Sequence, residues 1–206
     1  HVLALGCSPA YLAENADGIR QDWPRIPLPE TKEVLSASAA LGRRVAALLD
    51  PLTPFIGVTT GKIEEGFKMI ASLQRLDGGA ANPESGDLDL TVGWGHAGKE
   101  GVTMPGKGRL VERADGAYDV YLNEVACWRN VPKAVWEYVI GGYQVIKKWL
   151  SYRERGLLGR GLTPDEARYV QEMTRRIAAL ISIQTLLDEN FHRVTADVWP
   201  WPAQVS

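Results

Sequence analysis

Apolar positions recur with helical spacing toward both ends of the chain and lose that rhythm in the middle. In residues 2–17, Val2, Leu3, Leu5, Tyr11 and Leu12 sit at roughly helical spacing, with a break expected at Ser8-Pro9. Residues 23–29 read Trp-Pro-Arg-Ile-Pro-Leu-Pro, where three prolines remove backbone donors and force their neighbours into extended backbone. Thr31 fits an N-cap for a helix to about Leu49, with Val34, Leu41, Val45 and Leu48 on one face and Pro51 and Pro54 stopping it.

Residues 62–76 are ambiguous, with Phe67, Ile70 and Leu73 hinting at a helix. From 77 to 118 short apolar runs (88–94, 109–112, 118–122) alternate with turn signals at Asp77-Gly78-Gly79, Pro105-Gly106 and Asp115-Gly116. This texture predicts a small β-rich section built of hairpins. The Gly-rich stretch 93–108 reads as its most mobile loop. Val135, Tyr138, Val139 and Ile140 suit a strand over 134–140, and a helix is expected from Tyr143 to about Arg155. After a glycine-rich loop at 156–162 comes a strong helix start. Thr163 is the N-cap, Pro164 takes the first helical position and Glu166 completes a capping box. Val170, Met173, Ile177, Leu180, Gln184, Leu187 and Phe191 then predict one long amphipathic helix. The expected fold class is α+β: a small β-rich section packed on several helices, closed by that helix. Residues 1–50 form a helical N-terminal segment and 51–206 the main domain.

The chain has 206 residues, 45% hydrophobic and 23% charged, ordinary values for a globular protein. Cys7 and Cys127 cannot build a disulfide framework or a four-ligand zinc site. No apolar stretch approaches the ~20 residues of a membrane helix, and no signal-peptide pattern is visible, so the cytoplasm is the expected compartment. The chain opens on His1 rather than Met, which suggests a piece of something longer.

The net charge of −2 hides an asymmetry: residues 129–176 hold ten basic against five acidic side chains, a balance of +5 between acidic flanks. Such a block suits a polyanion, although a solvated helix face is its commoner meaning. Catalytic patterns are largely missing. There is no phosphate-binding Gly-x-x-x-x-Gly-Lys loop, no Gly-x-Ser-x-Gly and no His-Glu-x-x-His. Three scattered histidines do not suggest a metal site, and no cofactor is expected. His96 with Asp87 or Asp89 is the best enzyme-like set, but an idle loop histidine and a turn explain these residues more simply. Cys127 suits a small buried apolar residue.

Positive chemistry gathers in residues 136–160. Lys147, Lys148, Arg153, Arg155 and Arg160, behind a Gly141-Gly142 turn, suit phosphate contacts, which supply much of the affinity for nucleic acid. Trp136 and Trp149 fit the core better than base stacking. The 93–108 stretch is the second candidate. Lys99, Lys107 and the adjoining Arg109 are donors suited to base edges, and Glu100 can accept from cytosine.

The tract Val-Trp-Glu-Tyr-Val-Ile-Gly-Gly-Tyr-Gln-Val-Ile-Lys-Lys-Trp-Leu-Ser-Tyr-Arg at 135–153 resembles the C-terminal specificity region of Type ISP restriction–modification enzymes and related adenine-specific DNA methyltransferases. Ser8-Pro9-Ala10-Tyr11, the proline-rich 23–29 and Leu162-Thr163-Pro164-Asp165-Glu166 resemble further segments of that family, in the same order. The resemblance implies a target recognition domain that reads a short duplex DNA sequence beside a methyltransferase domain, in cis or in trans. It implies that residues 1–50 link from a methyltransferase-like domain and that 51–206 are the recognition domain. Neither an Asn-Pro-Pro-Tyr motif nor an S-adenosylmethionine loop is present, so no catalysis is carried over. It does not say which side chains touch bases. The rival expectation is a scaffold module docking on a methyltransferase or another subunit through the 163–191 helix.

Overall fold

The computed structural model describes residues 1–200, which divide into two compact units: His1–Thr53 together with the chain from Leu180 onward, and Pro54–Ala179. The architecture is mixed α and β with small antiparallel sheets, as the pattern predicts.

The first unit is helical. It comprises α1 (Val2–Gly6), α2 (Pro9–Glu14), α3 (Ala16–Gln21) and α4 (Lys32–Leu49), and is completed by the last helix of the chain. Ser8 breaks α1 from α2 where expected, its hydroxyl accepting from Tyr11 N. Thr31 caps α4 by accepting from Val34 N at 3.3 Å. The His1 ring ties the chain start to α4: Nε2 donates to Pro27 O, leaving Nδ1 to accept from the Ser38 hydroxyl.

The second unit holds α5 (Glu65–Lys68), β1 (Ser72–Arg75), β2 (Gly95–Ala97), β3 (Thr103–Pro105), β4 (Leu110–Glu112), β5 (Tyr118–Tyr121) and β6 (Ala126–Val131). These are followed by α6 (Lys133–Trp136), β7 (Val139–Ile140), β8 (Tyr143–Gln144), α7 (Val145–Ser151), α8 (Arg155–Leu158) and α9 (Pro164–Ser182), whose last residues belong to the first unit. A four-stranded antiparallel sheet runs β1-β6-β5-β4, and β2–β3 and β7–β8 are separate two-stranded ribbons. Trp128 of β6 is fully buried and its Nε1 donates to Ala167 O, so α9 lies against the sheet. Cys127 is buried as expected, and burial pushes its thiol pKa up.

Four expectations are corrected. The predicted 163–191 helix is two helices, α9 and α10 (Gln184–Ala196), separated at Ile183. The apolar rhythm continues through the break because the halves serve different cores. Val170 is buried in α9 on the side of the second unit, where Trp128 reaches Ala167, while Phe191 and Val194 of α10 join Leu5 and Tyr11 in the first. Over 134–140 the expected strand is a helical turn, α6, before the short β7: Pro132 ends β6 and its carbonyl accepts from Val135 N and Trp136 N. In 62–76 the helix stops at Lys68, and Ala71, at φ 50°, turns Leu73 into β1. The helix expected from Tyr143 starts two residues later, since Gly141 and Gly142 turn Tyr143 and Gln144 back onto Ile140 and Val139.

Candidate nucleic-acid interface

The stretch 93–108, expected as a loop, is an anchored ribbon. His96 pairs with Met104 across β2–β3, and Gly98 N donates to Val102 O to close the turn. Its anchor is Trp94, fully buried, with Nε1 donating to Tyr121 O at 2.8 Å and the ring 5.2 Å from that of Trp136. The second pass of the ribbon folds over that indole. Gly106 N donates to Trp94 O, Gly108 N donates to Gly93 O, and a side chain at Gly108 would fall on the Trp94 ring.

The ribbon is bound to the basic segment, sixty residues away in sequence. Glu154, buried between α7 and α8, accepts from Gly93 N and Trp94 N at 2.9 Å each. Arg155 N donates to Leu90 O and Leu162 N to Leu88 O, so the apolar run 88–94 is tied to 154–162 instead of forming a strand. At Gly95 even a methyl group would collide with the carbonyl of Ser151. Helix α7 thus packs on β2 and β3. Between them opens a cleft of about 190 Å³ lined by Pro105, Gly142, Tyr143, Gln144, Lys147 and Lys148.

The eight basic residues singled out from sequence fall into two classes. Lys99 stands at the ribbon turn, Lys107 just beyond β3, and Lys147 and Lys148 on α7. Among the described residues no carboxylate lies within ion-pair distance of these four lysines. Lys148 is framed by aromatic rings, its Nζ 4.7 Å from the centroids of both Tyr143 and Tyr152. The neighbouring Tyr152 side chain raises its pKa above that of an ordinary lysine.

The four arginines each face an acid. Arg109 donates to Glu124 at 2.7 Å and lies over the Tyr121 ring. Arg155 pairs with Asp89. Arg160 grips both oxygens of Glu166 at 2.6 and 3.0 Å. Arg153 lies 3.9 Å over the Trp149 ring with its Nε 3.7 Å from Glu166. Trp136 is buried as expected, whereas Trp149 is only half-buried, stacking on Tyr169. Glu166 is the hub of the cluster. Its hydrogen bond from Arg160 lowers its pKa from 4.5 to about 2, against a burial penalty that raises it.

The enzyme-like set does not assemble. Asp87 accepts from Arg75 and from Asn82 N, Asp89 is paired with Arg155, and His96 stands exposed on β2. Among the described residues no group of three His, Cys, Asp or Glu side chains is placed to hold a metal, and no helix is long and apolar enough to cross a membrane. Sequence reasoning missed Glu154 and Asn123, which position the site. Asn123 Nδ2 donates to Asp87 O and Asp89 O while its Oδ1 accepts from Val125 N and Ala126 N. An acid between two arginines and an asparagine in a turn carry no signal that distinguishes them from surface residues.

Compared with known families, residues 1–180 match the Type ISP C-terminal specificity domain. The chain belongs to this family. A specificity domain is one module of a restriction–modification enzyme, and the extent of the match covers both the ribbon and the basic segment. Among solved structures, the specificity domain is similar to part of a nuclease-deletion mutant of the Type ISP restriction–modification enzyme LlaGI, solved in complex with a DNA substrate mimic. The likeness has 19% identity and a TM-score of 0.49, and covers 91% of this chain but 15% of that one. No curated protein matches the chain.

Proposed function

We propose that this chain is the sequence-specific duplex-DNA recognition module of a Type ISP restriction–modification enzyme, non-catalytic by itself. The observation that carries this reading is the cleft where Lys147 and Lys148 open beside the β2–β3 ribbon. Cations beside a two-stranded ribbon are the two parts that DNA readout needs: phosphate contacts to position and side chains to reach base edges. Lys147 and Lys148 hold phosphates. Arg153, Arg155 and Arg160 add to them through guanidinium donors that their acids leave over. Lys99, Lys107 and Arg109 reach bases.

Within this reading, residues 1–50 link from a methyltransferase domain, present in cis or in trans, and 51–206 form the recognition domain. That neighbour carries out adenine N6 methylation with its own cofactor, and the whole enzyme works in the cytoplasm. Exposed Val2, Leu3, Leu12 and Trp23 in the first unit offer apolar surface to such a neighbour.

The test is selection of bound sites from random duplexes at two salt concentrations. Convergence on one short sequence, with affinity falling as salt rises, is the expected result. Absence of salt-dependent binding at low ionic strength overturns the proposal in favour of a scaffold.

A further inference from the structure

The β7–β8 hairpin ends in Gly141-Gly142, both at positive φ (57° and 83°), and neither has any atom within 4 Å of where a side chain would stand. The tip is bare and narrow. Immediately behind it Ile140 and Tyr143 are cross-strand partners, so their side chains share one face of the hairpin. They are 53% and 59% exposed, and Val139 on the other face is 50% exposed. Three large apolar residues in water on two-residue strands do not serve the core, and exposed apolar patches of this kind mark contact surfaces.

The surroundings name the partner. Tyr143 lines the same cleft as Lys147 and Lys148, and Lys148 Nζ lies over its ring. Lysine is depleted from the cores of protein–protein interfaces. Apolar side chains framed by lysines instead match a duplex, with phosphates at the groove rim and apolar base surface inside it.

We infer that the β7–β8 hairpin is a base-contacting finger: its glycine tip enters a groove, Ile140 and Tyr143 rest against apolar base surface, and Lys147 and Lys148 hold the flanking phosphates. This rests on the DNA-recognition reading and assigns specificity to apolar residues in addition to the basic ones.

The test compares the 206-residue chain with its Ile140→Ala/Tyr143→Ala variant on the selected duplex and on random duplex. Both side chains are exposed, so the melting temperature should not move. The variant should lose at least about tenfold in affinity for the selected site, a clearly larger loss than on random duplex, where binding rests on phosphate contacts. Equal losses on both duplexes, or none on the selected one, overturn the finger and leave the DNA reading standing. A wild-type chain that shows no salt-dependent binding overturns both. A second measurement alters only the DNA. Thymine replaced by uracil along the selected site should weaken wild-type binding if Tyr143 or Ile140 covers a methyl group. 2-Aminopurine at each step should brighten on binding if they part a stack. Either response supports the finger, and a site indifferent to both excludes it.

Discussion

At the residue scale the capping box shows local and tertiary roles meeting in one side chain. Glu166 closes the box, accepting from Thr163 N at 2.9 Å while its own N–H donates to Thr163 Oγ1. The Thr-Pro-Asp-Glu string predicted this, because the motif needs only neighbours. The same carboxylate also anchors Arg160 and faces Arg153, which nothing in the string announces. Its carboxyl is held at about 2, below the ordinary 4.5. The folded state therefore binds the proton less readily than the unfolded chain, and the charge contributes stability that is complete above pH 4.5. That contribution is lost as pH falls toward 2. Glu166→Gln keeps the capping geometry but not the charge. Its melting temperature should lie below wild type at pH 7, with the gap closing as the pH is lowered below 4.5 in parallel melts. A gap that does not change with pH would remove Glu166 as the hub.

At the element scale the ribbon depends on glycine for space. Gly108 sits at φ 65°, and a methyl group there would overlap the buried Trp94 ring. The indole is held by Trp136 and the Tyr121 carbonyl and cannot yield. Gly108→Ala should cost about 3 kcal/mol by overpacking, measured by urea unfolding. Gly156→Ala, helical in α8 with open space around it, is the control and should be neutral or slightly stabilising. Of the elements, α2, α4 and the start of α9 were legible because caps and prolines act on adjacent residues. The break at Ile183 was not, because its apolar spacing runs on unaltered while the core it faces changes. The strands in 134–144 were misplaced for a related reason. Short apolar runs suit a helical turn and a strand equally until a partner is present, and the Gly141-Gly142 turn supplies that partner locally as β8.

At the scale of the whole molecule, all eight basic residues assigned to DNA lie in the second unit, which is one unbroken stretch of chain. A fragment spanning residues 54–182, which keeps α9 whole, should melt cooperatively and bind duplex DNA with the salt slope of the full chain. Loss of binding by a folded fragment would place DNA contacts in the first unit. Lys147→Ala and Lys148→Ala should each lower the slope of log affinity against log salt by about 1 and weaken all sequences alike. Arg155→Ala and Arg160→Ala should change the slope less, since the acids Asp89 and Glu166 already offset those charges. The sequence by itself determined what depends on neighbours: the helix caps, the proline-rich junction, the hairpin texture, the basic block and the family motif. Only the tertiary structure decided which charges are available and where they stand. Glu154 reaches back sixty residues to the amides of Gly93 and Trp94, so that ribbon and lysines share one cleft, while acids from elsewhere in the chain claim the arginines. The reason is physical: ion pairing and burial depend on distance in space, and a linear sequence records only distance along the chain.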